Sequence, residues 1–261
     1  MNILLIGDVV GDVGCEALRR YLPKIKREYN IDLTIVNGEN SAEGNGITPH
    51  SAEHIFTSGA DVITGGNHTI RRREVYEMLE NNEFMLRPAN YPASISGKGL
   101  CIVDLGYTKV AVINVLGTVY LESLECPFNT CDKLIEKATQ EGADIIIVDL
   151  HAEATSEKRA MGFYLDSRVT ALFGTHTHVQ TNDMQILSGG TAYVTDIGMT
   201  GAMDSVLGVK PEIAIAKMKD KLPIKFLNQT GRAMINGCVI TVDKTTKKAT
   251  KIIPINIKEE N

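Results

Sequence analysis

Five short apolar runs in this chain each give way to a turn carrying a carboxylate, a carboxamide or an imidazole. Ile3–Ile6 leads into Gly7-Asp8, and Leu33–Val36 into Gly38-Glu39-Asn40. Asp61–Thr64 leads into Gly65-Gly66-Asn67-His68, and Ile145–Val148 into Asp149-Leu150-His151. Val169–Phe173 leads into Gly174-Thr175-His176-Thr177-His178. Short β-branched runs of this kind read as buried strands. In open α/β sheets, sites form outside the carboxyl ends of strands. The glycines let the backbone turn and leave room for a ligand. This pattern therefore predicts an α/β protein whose strand ends converge on one site.

The segments between the runs fit that architecture. Leu18, Leu22 and Ile25 recur at helical spacing, with Asp12 a plausible N-cap. Helices are also expected over 51–58, 71–80, 131–141 and 211–219, the last opening on Pro211. Ile102–Leu105 and Val110–Val115 read as an antiparallel pair, and Val239–Val242 with Ile252–Ile257 as a closing hairpin. Short strands are expected at 184–187 and 192–194. The result is mixed sheets, two of them packed between helices, in a single domain over Met1–Asn261.

His176 and His178 are the most specific chemical signal. Residues i and i+2 of an extended segment point the same way, so both imidazoles can aim at one place. One metal would be crowded by both, whereas two neighbouring metals would take one each. Taken singly, Asp8 reads equally well as a cap or turn residue and Glu39-Asn40 as a polar turn, Asn67-His68 can be a β-turn with a surface histidine, and His151 alone is more often structural than a ligand. Their conjunction at successive strand ends favours a metal site.

Composition excludes several classes. A formal net charge of −5 over 261 residues argues against broad phosphate-backbone binding. The five cysteines are odd in number and scattered, which fits reduced thiols better than a disulfide framework. No apolar run reaches the roughly 18 residues of a membrane span, and the start, MNILLIGDVVG, lacks a basic region before its apolar stretch. The expectation is a cytoplasmic protein without a membrane partner.

The order Asp8, Glu39, Gly66-Asn67-His68, His151 and Gly174-x-His176-x-His178 resembles the calcineurin-like metallophosphoesterases. That superfamily commonly begins GD-x-H and uses GD in its second motif. Here Val10 stands where the histidine would be, and the second motif is GEN. Both variants, with GNHT and GTHTHV, are similar to the YmdB-like bacterial 2′,3′-cyclic nucleotide phosphodiesterases, from Met1 to about Ile257. The resemblance implies a four-layer α-β-β-α sandwich of two mixed sheets and a binuclear centre of divalent or trivalent ions, iron or manganese first and zinc as an alternative. It implies that Asp8, Glu39, Asn40 and His178 hold one metal, and that Glu39 bridges to a second held by Asn67, His151 and His176. Asn40 fills the place left by Val10. It further implies a small nucleotide phosphodiester substrate, attack by metal-activated water, and His68 as the general acid that protonates the leaving ribose 2′ oxygen. Regulatory partners in RNA turnover and a homo-oligomer stay open. In this family tryptophan often follows GNHT. Here that residue is Ile70 and the chain has no tryptophan, so an aromatic platform for the base is either missing or supplied from elsewhere.

Other readings compete. The same metals could serve a broad phosphomonoesterase or a nuclease, or the fold could persist in a regulatory protein. Glycines 7, 11 and 14 are not spaced as G-x-G-x-x-G, and Asp8 and Asp12 would repel a pyrophosphate, which argues against dinucleotide binding. His50 and His54 could share a helix face but show no carboxylate partner, which favours a solvated pair. Arg71-Arg72-Arg73 could touch a phosphate but reads better as a basic helical turn facing water, with Arg71 nearest the site. Thr195–Gly201, TDIGMTG, either brings amides to substrate or turns a strand.

Overall fold

Alternation along the strands generates the layers. The computed structural model describes residues 1–260; Asn261, the last residue of the expected domain, lies outside the described residues. The first half contains β1 (Asn2–Ile6), β2 (Asp8–Val9), α1 (Gly11–Glu28), β3 (Leu33–Asn37), α2 (Pro49–Thr57), β4 (Val62–Thr64), α3 (Tyr76–Asn81), β5 (Leu100–Asp104) and β6 (Lys109–Leu116). The second contains α4 (Pro127–Gln140), β7 (Ile145–His151), α5 (Thr155–Leu165), β8 (Ala171–Thr175), β9 (Gln185–Ile186), β10 (Ala192–Val194), β11 (Met199–Ala202), α6 (Pro211–Asp220), β12 (Ala233–Val242) and β13 (Ala249–Lys258). One sheet runs β2-β11-β12-β1-β3-β4, with β13 also paired to β12, and the other runs β5-β6-β7-β8-β10-β9. β1, β3 and β4 are mutually parallel, as are β6, β7, β8 and β10, while β12 and β5 run antiparallel to their neighbours.

Ile3, Leu5, Leu33 and Ile35 face Val110, Val112, Ile145, Ile147 and Phe173 of the other sheet. The intervening Leu4, Ile6 and Val36 pack on Leu18, Leu22 and Ile25 of α1 and Ile55 of α2. On the far side, Ile113, Val115, Ile146 and Val148 pack on Cys131 and Ile135 of α4 and Met161 and Leu165 of α5. Period-2 strands serving two interfaces each give the four layers α-β-β-α. Each fully buried Leu or Ile contributes roughly 1.5–3 kcal/mol, so Leu18, Leu22 and Ile25 are the main apolar anchors of α1 on the sheet. Both sheets expose the carboxyl ends of their parallel strands at one rim.

Several sequence expectations change. Asp12 lies inside the first turn of α1; the N-cap is Val10, which makes no side-chain cap bond. The expected helix over 71–80 breaks into two 3₁₀ turns, Thr69–Arg71 and Arg73–Val75, before α3. Arg72 is extended there (φ −106°, ψ 112°), and its guanidinium donates to the carbonyls of Glu43 and Asn45. α5 and β11 were not anticipated. His50 and His54 do share α2, but His54 Nε2 has a carboxylate partner after all, Glu16 at 3.6 Å.

Candidate metal centre

Asp8 sits in β2, Glu39 and Asn40 follow β3, Asn67 and His68 follow β4, His151 ends β7, and His176 and His178 follow β8. These eight side chains converge where the two sheets meet. Two donor groups form around Glu39. His151 Nε2 lies 3.3 Å from Glu39 Oε1, 3.1 Å from Asn67 Oδ1 and 3.0 Å from His176 Nδ1. His178 Nε2 lies 3.7 Å from Asp8 Oδ1 and 3.3 Å from Asn40 Nδ2, which reaches Glu39 Oε1 at 2.8 Å. Within the first group, the set Glu39, His151 and His176 is compact enough to hold a metal ion.

The surrounding hydrogen bonds show which nitrogens carry lone pairs. Thr175 Oγ1 donates its proton to Asp149 Oδ1 at 2.7 Å, so at 2.9 Å it accepts from His151 Nδ1. Glu153 Oε2 accepts from His176 Nε2 at 3.0 Å, and the Leu207 carbonyl accepts from His178 Nδ1 at 3.0 Å. Each imidazole therefore turns an unprotonated nitrogen inward when neutral. Such outer partners commonly orient metal-binding histidines. His151 Nε2 and His176 Nδ1, 3.0 Å apart, are near enough for one ion to take both at ordinary metal–nitrogen lengths of about 2.1 Å. Asp8 Oδ1 is completely buried with no hydrogen-bond partner, a cost that a bound cation removes. The donor set thus fits metal ions. Asn40 is the exception: it turns Nδ2 toward Glu39 and His178, and Oδ1 accepts from His68 Nδ1 at 2.7 Å. To ligate, its carboxamide must turn over.

Electrostatics agree. Burial pushes Asp8 up from the ordinary carboxylate value, opposed by His178 and His151. Burial acts the same way on Glu39, but His151 and His68 outweigh it and hold Glu39 well below the usual range. Burial alone would depress His151, yet the carboxylates of Glu39, Asp8 and Asp149 raise it to about 9. Burial and the neighbouring His151 bring His176 down to about 3. Burial lifts Asp149 to about 6 despite bonds from Thr64, Thr175 and Asn37.

His176 and His178 do not lie in an extended segment. Both are left-handed, at φ 99° and 63°, in a turn that brings the rings together by curling rather than by strand alternation. The buried carboxylate of Asp196 holds that turn. Its Oδ2 accepts from Thr177 N (3.0 Å), Thr177 Oγ1 (2.8 Å) and Lys158 Nζ (2.7 Å), and Oδ1 accepts from Gly198 N (2.9 Å). Lys158, also fully buried, donates its second bond to the Thr175 carbonyl at 2.8 Å. TDIGMTG is therefore a strap: Asp196 clamps the histidine turn, and Met199–Thr200 pair with Asp8–Val9. Gly66 clears the centre, since a methyl there would press against Glu39 Oε2 and His151 Nε2. Sequence reading missed Thr175, Glu153, Lys158 and the role of Asp196; only the local Thr175 and Glu153, beside named ligands, left a readable signal.

A cleft of ≈ 360 Å³ opens on these groups, lined by Glu39, Asn40, His68, His176 and His178. Val206, Val209, Met218 and Phe226 supply an apolar wall of the same cleft. A larger hollow of ≈ 670 Å³, beside Arg87, Tyr91 and Leu134, touches none of the convergent residues. The chemistry therefore belongs to the smaller one.

Two mixed sheets between helices, with carboxylate, carboxamide and imidazole groups gathered at the strand ends, define a metallophosphoesterase. The chain belongs to the YmdB-like family: the family model described as YmdB-like protein matches residues 4–255. It is 45% identical over 261 residues to the 2′,3′-cyclic-nucleotide 2′-phosphodiesterase of Bacillus subtilis, covering 100% of this chain and 98% of that one. The crystal structure of a novel phosphatase from Mycoplasma pneumoniae superposes with a TM-score of 0.93 at 34% identity, covering 100% and 94%. A 5′-nucleotidase precursor from Thermus thermophilus shares the fold at TM-score 0.57 and 12% identity, over 99% of this chain and 54% of that one.

Proposed function

We propose that this chain is a binuclear-metal phosphodiesterase that hydrolyses 2′,3′-cyclic nucleotides to 3′-nucleotides. The observation that carries the reading is the Glu39 carboxylate lying between two donor groups in one cleft. The activity of the Bacillus subtilis relative supports the substrate class. Asp8, Glu39, Asn40 and His178 would hold one ion, and Glu39, Asn67, His151 and His176 the other. Carboxylate, carboxamide and imidazole donors suit iron, manganese or zinc. Bound there, the ions would lower the pKa of water to near ~7 and offset charge on the phosphoryl oxygens.

The protein's own groups do the rest. Water gives up a proton to solvent as its oxygen bonds to phosphorus, the bond from phosphorus to the 2′ oxygen breaks, and that oxygen takes a proton. His68 is the proposed donor. Its backbone N–H donates to Glu39 Oε2 and its Nδ1 lies 3.3 Å from Glu39 Oε1, contacts that do not depend on how Asn40 is turned, while Nε2 has no hydrogen-bond partner among the described residues. Unpaired thiols, four of the five buried, support a reducing compartment such as the cytoplasm.

The test combines metal analysis with substrate choice. The wild type and His151→Ala are purified without chelator, assayed for bound metal, and given 2′,3′-cyclic AMP, 3′,5′-cyclic AMP and p-nitrophenyl phosphate. About two ions per chain, preference for the 2′,3′-cyclic substrate and loss of both in the variant are expected. Preference for the monoester would replace the reading with a phosphatase. No bound metal and no turnover after adding manganese or iron would sink it.

A further inference from the structure

The apolar wall of the cleft has no role in phosphoryl chemistry. Among the lining residues, Phe226 is the single carbocyclic aromatic, and Met218, Val206 and Val209 add aliphatic surface to the same cleft. Phe226 and Met218 stay 38% and 63% exposed, a cost in water that a ligand would remove. Lys217 Nζ sits 3.9 Å from the Phe226 ring centroid. Lys217 does not line the cleft, so it steadies the ring from outside and leaves the remaining ring surface to the cleft. Two carboxamides, Asn45 and Asn228, line the same space. Neither side chain makes a hydrogen bond within the described residues, so both keep donors and acceptors for a ligand edge.

We infer that Phe226, backed by Met218, is the stacking platform for the nucleobase of the substrate, with Asn228 and Asn45 addressing the base edge. A planar heterocycle satisfies both halves of this wall: its face covers apolar surface and its edge pairs with amides. Every base has such a face, and stacking on an aromatic ring tolerates sequence. An alkyl ligand would leave the amide edges unmatched. The chain has no tryptophan, so no indole competes for this role. Phe226 is a specificity residue here; it touches the base and takes no part in bond making. The inference deepens the proposed phosphodiesterase reading and rests on it for the position of the phosphate.

The absence of tryptophan supplies a direct test. F226W introduces the only indole of the chain, and its fluorescence is titrated with 3′-AMP and separately with inorganic phosphate. Quenching by 3′-AMP and none by phosphate is expected. In parallel, Phe226→Ala should raise KM for 2′,3′-cyclic AMP roughly 10-fold with kcat little changed. It should leave the kinetics of a base-free methylriboside 2,3-cyclic phosphate unaltered, and F226W should restore the KM. Unchanged KM in Phe226→Ala, or no quenching by 3′-AMP, overturns the platform. If the wild type turns over neither cyclic phosphate, the phosphodiesterase reading falls, while 3′-AMP quenching still scores the base subsite on its own.

Discussion

Replacing Lys158 by methionine removes one charge from a fully buried pair while keeping most of the side-chain volume. Asp196 loses its 2.7 Å bond to Nζ and the Thr175 carbonyl loses one at 2.8 Å. Breaking a buried pair costs ~3–5 kcal/mol because the surviving charge is left without its partner. Asp196 keeps three donors, from Thr177 N, Thr177 Oγ1 and Gly198 N, which places the loss near the lower end, ~3 kcal/mol. At about 2–4 °C per kcal/mol for a domain approaching this size, Tm falls by roughly 6–12 °C. The assay is calorimetry on chelator-treated protein, so that metal release does not enter the reading.

Lys158→Met should also weaken metal retention about 10–100-fold, as loss of a ligand-orienting partner does, because its partner Asp196 holds the His176–His178 turn. A double variant with Asp196→Asn should lose less stability than the sum of the single changes, since neither charge is then stranded. A Tm within about 2 °C of wild type, with metal content unchanged, would refute the clamp.

Three further outcomes follow from the site. Gly66→Ala should fold, since Gly66 is not left-handed, yet bind no metal, because its methyl meets Glu39 and His151; circular dichroism and metal analysis together read this. His68→Ala should keep its metals but lose about 10²–10⁴-fold in turnover, and wild-type turnover would remove His68 as general acid. In chelated protein His151 is raised to about 9, so at pH 8 it holds a proton on the nitrogen that faces the donors. Metal uptake must expel that proton, and a weakly buffered indicator titration should record about one released from this residue, falling toward zero above about pH 10.

What was legible in the sequence was local. Buried strands announce themselves as apolar runs, and Asp8, Glu39, Asn67, His151 and His176 all lie within a few residues of a strand's carboxyl end. The hairpin of β12 and β13 was legible for the same reason. α5 was not, because its buried face includes Glu157 and Lys158, charges that erase the apolar period. Those residues are buried only because partners distant in the chain meet them: Asp196 for Lys158, and the Thr118 and Val119 amides for Glu157. The helix over 71–80 formed only from Tyr76 onward, because Arg72 uses its guanidinium on a carbonyl 27 residues away rather than on solvent. Non-local pairing of polar groups leaves no periodic trace in the sequence.

The histidine turn shows how such pairing bears on function. Left-handed conformations cost non-glycine residues about 1–3 kcal/mol each, so His176 and His178 together store roughly 2–6 kcal/mol. The hydrogen bonds to the Asp196 carboxylate, at about 1.5–3 kcal/mol each, are enough to hold that strain, and the sheets need not contribute. The turn should therefore relax before the sheets open once the clamp is weakened. Hydrogen exchange in Lys158→Met separates the two events. The Thr177 amide, whose acceptor Asp196 is no longer anchored by Lys158, should exchange quickly at temperatures where the Ile147 and Val148 amides of β7 remain protected. Equal acceleration at both places would mean that the strap belongs to the global core, and that the strain in the histidine turn is carried by the sheets after all.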